Sequence, residues 1–454
     1  MKPKLRRLLP IVLLIFSLTV MAVSGWLWYD SNVDRSGWVE KDGVRYYQDF
    51  HADPVSGWLD IEGQRYYFHE TGVPYTGWQE IGGSTYFFDD SGVMAAGWQE
   101  VDGKTHYFGD DGVMRSGWLE LEGARYYLPD GVLVTGWLDM DGGRCYFGSD
   151  GAMKSGFTKV DGNIYYFTED GPYLTGFVTI EGREYCFHDD GVMHTGWLDR
   201  GEGRSYYYID GSLATGWQEI DGKRYCFGDD GFLLTGWHQE GEYSYFLLED
   251  GSAAVGPTKI DGAVHYFSPK GIEVILVNRW NPVPDYYQMN LVTVTGWHEV
   301  DQRCYDALVQ MLADCNAAGI EYTFNSAYRT IEEQTAILET RTLEHMKNYE
   351  LDYEEALQKA LQTVAVPGTS EHHLGLAVDL LGSEAIAWFT EHCWDYGFIV
   401  RYTEEKEPIT GIIDEPWHFR YVGTEVSLDM KDSGLCLEEY LGTVEVTNSE
   451  AASE

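Results

Sequence analysis

From residue 37 to about residue 271 apolar and polar positions alternate over short stretches that glycine punctuates. A typical stretch reads GWQEVDGKTHYFGDDGVMRS, an aromatic segment, an Asp-Gly pair, a second aromatic segment and a second Asp-Gly pair. Its marker recurs with a period of about twenty residues. It runs through Gly37-Trp38, Gly57-Trp58, Gly77-Trp78, Gly97-Trp98, Gly117-Trp118 and Gly136-Trp137. It continues through Gly156-Phe157, Gly176-Phe177, Gly196-Trp197, Gly216-Trp217 and Gly236-Trp237, and ends at Gly256-Pro257. Asp-Gly between alternating aromatics predicts a two-residue hairpin, because a type I′ turn needs positive φ. One hairpin cannot bury its aromatic face, whereas stacked copies can. The prediction is a β-hairpin solenoid of about twelve repeats with nearest-neighbour contacts, closed by the final copy at Gly256-Pro257, which lacks the Trp.

Two other patterns flank the array. Lys2, Lys4, Arg6 and Arg7 precede an uncharged stretch from Leu8 to Trp28, close to the ~20 residues a membrane-spanning helix needs. A basic flank before an apolar run predicts an exported chain, with an uncleaved signal anchor preferred to a signal peptide cut near Ala22, Ser24 and Gly25. After Ile272 the Gly–aromatic rhythm stops. Tyr305 to Ala318 places Leu308, Met311, Leu312 and Cys315 on one helical face, Gly319 ends that helix, and EYTFNS reads as a strand. Ile331 to about Val364 reads as largely helical until Pro367-Gly368, with the acidic stretch Glu350 to Glu355 as a solvated face. The resulting division is 1–30 (signal or anchor), 31–271 (repeats), 272–442 (an α+β domain) and 443–454 (an acidic tail).

The repeats resemble the cell-wall-binding repeats of choline-binding and glucan-binding surface proteins. In choline-binding versions a second Trp usually opens the second strand and helps to form an aromatic cage. Here that position holds Arg45, Arg65, Thr85, Thr105, Arg125 and Arg144 in the first six copies. A cage of ring faces attracts a cation and an arginine opposes one, so choline is not the expected ligand. The resemblance implies a wall glycan or teichoic-acid-like polymer as partner; the bland alternative is a spacer whose aromatics are only core.

Composition narrows the partners further. With 31 Lys+Arg against 74 Asp+Glu the formal charge is −43, which excludes nucleic acid bound through phosphate contacts. Seven cysteines are an odd number for a disulfide framework. Cys145, Cys186 and Cys226 fall at nearly the same phase of the repeat, as small substitutes for rings. Cys304 and Cys315 sit ~16 Å apart on the predicted helix, too far to pair. No CxxC pair offers a cysteine zinc site.

Candidate chemistry lies in three segments beyond residue 272. They are Ser326-Ala327-Tyr328-Arg329 with Gln334 after it, Ser370-Glu371-His372-His373-Leu374-Gly375-Leu376-Ala377-Val378-Asp379, and Glu415-Pro416-Trp417-His418. A catalytic zinc takes three protein ligands and keeps one open position. Two imidazoles and a carboxylate, from His372, Asp379 and His418, suit zinc better than magnesium or calcium. The small residues Gly375 and Ala377 let a strand or turn bring His372 and Asp379 together, and Pro416 argues for extended chain before His418. His373 competes with His372 as a ligand, and the spacing to Asp379 favours His372.

In order, these segments match the SxYR, SxHxxGxAxD and ExxH motifs of the vancomycin-resistance-type (VanY-like) D-Ala-D-Ala carboxypeptidases, within the lysostaphin-like and hedgehog-like zinc folds. Every motif position is kept, and the similarity extends through VNRW near residue 277 and GFIVRY from Gly397 to Tyr402. The resemblance implies zinc held by His372, Asp379 and His418, Glu415 as general base, and Arg329 over the developing oxyanion. Ser370, Gln334 and Tyr328 are candidate substrate contacts, Ser370 having a helix cap as its bland alternative and Tyr328 a wall of the site. The implied reaction removes the terminal D-Ala from peptidoglycan stem peptides outside the membrane of a Gram-positive cell. The rivals are an L,D-peptidase or endopeptidase of the wall, and a surface adhesin with a vestigial metal site.

Overall fold

The hairpins form where a polar residue and glycine adopt left-handed backbone in succession. Asp102 and Gly103 have φ of 53° and 70°, and Val101 pairs with Lys104 across them, as a type I′ turn requires. Glutamate fills the first turn position as well, at Glu62, Glu122 and Glu181. The structure, a computed structural model, describes residues 4–444. The predicted acidic tail therefore lies, from residue 445 on, outside the described residues, as does Lys2. The chain divides into two compact units, Met1–His194 and Thr195–Glu454.

The first unit opens with the helix Lys4–Asn32, exposed from Leu13 to Tyr29. Among the described residues no helix is long and apolar enough to cross a membrane. Eight two-stranded hairpins follow, from Gly37–Gln48 to Gly176–Phe187. From Trp38 to Phe157 each marker ring meets a ring of the next copy edge-on or tilted, as Trp38 meets Tyr66 at 5.2 Å and Trp78 meets His106 at 5.0 Å. Neighbouring copies are also joined through the backbone, Met94 N–H donating to Arg65 O and Met114 N–H to Thr85 O. This is the stacking that a lone hairpin lacks.

No disulfide links any of the seven cysteines, all of them buried. Cys145, Cys186 and Cys226, at nearly the same phase of the repeat, differ by one strand position. Cys145 pairs with Leu138, whereas Cys186 pairs with Phe177 and Cys226 with Trp217. Two successive ring positions have therefore been replaced by thiols, one on each face of the strand.

The second unit holds four more hairpins, from Gly196–Tyr207 to Gly256–Phe267, and then the α+β domain. The domain's elements are β1 (Leu291–Thr295), β2 (His298–Asp301), α1 (Gln302–Ala317), β3 (Thr323–Ser326), α2 (Ile331–Tyr349), α3 (Tyr353–Ala360), β4 (Ala377–Leu381), α4 (Ser383–His392), β5 (Phe398–Val400), β6 (His418–Tyr421), α5 (Thr424–Ser433) and α6 (Leu437–Tyr440). A four-stranded antiparallel sheet runs β3-β4-β6-β5. Helix α1 buries Leu308, Met311, Leu312 and Cys315 as the periodicity predicts, with Cys304 added one turn earlier. The largely helical stretch from Ile331 is two helices. Glu350 is left-handed with φ of 55°, and Asp352 caps α3 in a reciprocal capping box with Glu355. The acidic stretch is thus the break between helices, because local side-chain capping outcompetes continuation of α2.

The compositional change at Ile272 is no break in packing. Tyr245 of the eleventh hairpin shares one buried cluster with Ile272, Val274, Leu276, Val422, Val426, Met430, Leu437, Tyr440 and Leu441. The Tyr421 hydroxyl donates to Glu242 at 2.8 Å, and Lys270 pairs with Glu425 at 3.3 Å.

Candidate metal centre

Strand register brings the site together. In the sheet Asp379 of β4 lies directly opposite His418 of β6 on one side and Ser326 of β3 on the other. His372 arrives from the short 3-10 turn Glu371–Leu374, which Gly375 ends with φ of 68°. A Cβ there would lie 2.9 Å from the Asp301 backbone nitrogen, so both the backbone angle and the close approach require glycine. The His372 ring is aimed by Nδ1–H donation to Ala327 O at 2.7 Å, which turns Nε2 toward Asp379 Oδ2 at 3.4 Å. His418 Nδ1 lies 3.0 Å from Asp379 Oδ1. These three side chains, all buried, keep their ligand atoms within 4.8 Å of one another.

The donor set fits a divalent metal ion. Burial opposes the charge on Asp379, yet His372 and His418 hold its carboxyl well below the usual range. Burial also disfavours a charged His418, but hydrogen bonds to Asp379 and Glu371 raise it to about 9, while burial pushes His372 down to about 4. The pocket thus stabilises one positive charge at the point where two imidazoles and a carboxylate converge, and a metal ion can take that proton's place. His373 is not available to it: its Nδ1 lies 2.7 Å from Arg329 O, and its Nε2 accepts from Gly368 N–H.

A cavity of about 980 Å³ opens over the three residues, lined by Tyr328, Arg329, Ser370, Glu415, Trp417 and the exposed Trp297 among others. Glu415 is fixed in a turn closed by His418 N–H donating to its carbonyl at 3.0 Å. Burial raises its carboxyl to about 7, which suits a group that must take up and return a proton near neutral pH. Arg329 donates to Ser326 Oγ at 2.9 Å, to Gln334 Oε1 at 2.8 Å and to Asp379 Oδ2 at 3.1 Å. Gln334, a substrate contact on the sequence reading, is buried, and its two ends go to Arg329 and to Ala365 O. It supports the guanidinium and also forms part of the cavity wall. Ser370 makes no side-chain cap to the turn after it, so the capping alternative falls away.

Sequence reasoning passes over a buried charge network behind the ligands. Glu371 lies 3.3 Å from His418 Nε2 and accepts from both Arg401 and Arg420. Arg401 in turn pairs with Glu438. The available signal is an arginine inside each of two apolar segments, GFIVRY and HFRY, since an arginine there is buried only with a partner.

Residues 297–424 match the D-alanyl-D-alanine carboxypeptidase family VanY. Residues 55–96, 95–131, 134–171 and 174–212 match the choline-binding repeat. A D-alanyl-D-alanine carboxypeptidase of Enterococcus faecalis is 41% identical over 178 residues, which span 37% of this chain and 66% of the relative, just under two thirds. A bifunctional D-Ala-D-Ala dipeptidase and D-Ala-D-Ala carboxypeptidase of Enterococcus gallinarum is 38% identical over 141 residues, 27% of this chain and 69% of that one. Among solved structures, a mutant vancomycin-resistance D,D-pentapeptidase in complex with Zn(II) is 41% identical, covering 37% of this chain and 97% of its own, with a TM-score of 0.36. CbpJ of Streptococcus pneumoniae is 25% identical over 53% of this chain and 100% of its own, with a TM-score of 0.35.

Proposed function

Because the chain belongs to the VanY family of D-alanyl-D-alanine carboxypeptidases, we propose that it removes the terminal D-Ala from peptidoglycan stem peptides, with zinc held by His372, Asp379 and His418. The observation that carries this reading is the convergence of those three ligand atoms beside a carboxylate, Glu415, that burial has raised to about 7. When bound, zinc supplies a Lewis acid that acidifies a water and polarises the scissile carbonyl. Glu415 takes the proton of the attacking water and returns it to the leaving D-Ala amine. Arg329, held by Ser326 and Gln334, turns its donors toward the developing oxyanion. The Ser370 hydroxyl and the Tyr328 ring, both on the cavity wall, orient the peptide terminus.

The test is product analysis by mass spectrometry, with the zinc-loaded full chain incubated on pentapeptide stems. Release of free D-Ala and a tetrapeptide is expected. Cleavage at an L,D or cross-bridge bond, or no cleavage at any pH, overturns the reading.

The repeats support attachment to a cell-wall polymer, which raises the local concentration of enzyme at its substrate and puts its work outside the membrane. The basic-flanked helix Lys4–Asn32, with its exposed apolar side chains, supports export and membrane attachment. Choline is disfavoured as the ligand in the copies where the chain's own arginine covers the marker Trp face. The Arg45 guanidinium sits 3.8 Å from the Trp38 ring centroid, Arg125 4.6 Å from Trp118 and Arg144 5.0 Å from Trp137. Arg204 and Arg224 cover Trp197 and Trp217 in the same way. Each covered face loses its cation–π attraction for a quaternary ammonium group. The full chain is therefore expected to pass through choline-agarose unretained and to sediment with purified walls. Retention on the resin, with elution by free choline, would contradict this.

A further inference from the structure

We propose that Glu371 is a positioning residue for the metal site, fixing the tautomer and ring plane of His418 through Nε2. The inference rests on the reading of His372, Asp379 and His418 as metal ligands and assigns a task to a residue outside that set. His418 presents Nδ1 to Asp379 at 3.0 Å, while its Nε2 lies 3.3 Å from Glu371 Oε2. Glu371 in its ionised form can only accept, so Nε2 carries the ring hydrogen and Nδ1 keeps its lone pair free for the metal. A carboxylate in this position also raises the ligand's basicity.

The carboxylate is itself held. Its Oε1 accepts from Arg401 Nε at 2.8 Å and from an Arg420 terminal nitrogen at 3.0 Å. Arg420 is anchored to Ile275 O at 2.7 Å, and Arg401 to both oxygens of Glu438 at 2.9 and 2.6 Å. Glu438 accepts in addition from Asn278 at 3.0 Å. Two carboxylates and two guanidiniums already balance in charge, and all four residues are buried. The second oxygen of Glu371 is left to face the His418 ring. The network's rigidity lets it set a ring orientation.

The matched pair Glu371→Gln and Glu438→Gln tests this in the full chain. Each removes one negative charge from the same buried network, and only the first touches His418. In Glu371→Gln, a side-chain amide that donates to Nε2 forces the ring hydrogen onto Nδ1, where it blocks ligation. Zinc affinity, measured by competition with a chromophoric chelator, is expected to fall by ~10–100-fold in Glu371→Gln and to stay near wild type in Glu438→Gln. Equal losses in the two variants, or wild-type affinity in Glu371→Gln, overturn the proposal. Should Glu371→Gln fail to fold, ¹⁵N spectra of the histidine-labelled, zinc-loaded wild type decide it. Hydrogen on His418 Nε2 with Nδ1 bound to metal is expected, and the reverse overturns it. A wild type that binds no zinc overturns the metal reading itself, an outcome distinct from a loss confined to Glu371→Gln.

Discussion

Glu415→Gln is expected to lower kcat by ~10²–10⁴-fold, the range for removing a positioned general base, while zinc stays bound. Glutamine keeps the shape and the backbone turn to His418 but cannot take a proton from water. The three proposed ligands are separate from Glu415, so chelator competition should give an affinity close to that of the wild type. The sign of the pH dependence follows from the same group. Glu415 works as a base only when ionised, and burial raises its carboxyl to about 7. A cation bound beside it favours the ionised form and pulls that value down. The acid limb of kcat/KM in the zinc-loaded enzyme should therefore lie below pH 7, activity falling as the pH drops through it. An unchanged kcat in Glu415→Gln would remove Glu415 from the chemistry.

Cutting the chain at residue 272, where the composition changes, is expected to yield a protein that does not fold stably, whereas a chain starting at Thr195 should melt cooperatively. The shorter piece loses Tyr245, Tyr243, Trp217 and Tyr266 from the cluster formed with Val422, Val426, Met430, Leu437 and Leu441. It also loses Glu242, which accepts from the Tyr421 hydroxyl at the end of the strand that carries His418. Burying one large apolar side chain contributes ~1.5–3 kcal/mol, and several are uncovered at once. The loss is comparable with the ~5–15 kcal/mol that stabilises a typical domain. Circular dichroism melts of the two pieces check this; equal melting temperatures would contradict it.

These two expectations differ in how far the sequence alone can carry them. The ligands, Glu415 and Arg329 stand in three short motifs whose order and spacing are local, and the hairpins announce themselves because Asp-Gly and Glu-Gly turns depend on two adjacent residues. Features that arise from distant partners are not legible. Glu371 stands in the open beside His372, but its role depends on Arg401, Arg420 and Glu438, which the fold alone brings to it. The shared core across Ile272 is hidden because repeat and peptidase each look self-sufficient in composition. Gln334 reads as a substrate contact, and its hydrogen bond to the motif arginine, a second task, shows only in the fold. The helix break at Glu350 to Asp352 escapes for a smaller reason: a run of acids reads as a solvated face although Asp352 and Glu355 have capping-box spacing.

The most direct measurement is X-ray absorption at the zinc edge on the full chain, together with metal stoichiometry. One zinc per chain is expected, with two imidazole nitrogens at ~2.0–2.1 Å and carboxylate or water oxygens at similar distance and no sulfur, and with the imidazole scattering reduced in His418→Ala. A sulfur shell, or no stoichiometric zinc in a folded preparation, would contradict a metal centre built on His372, Asp379 and His418.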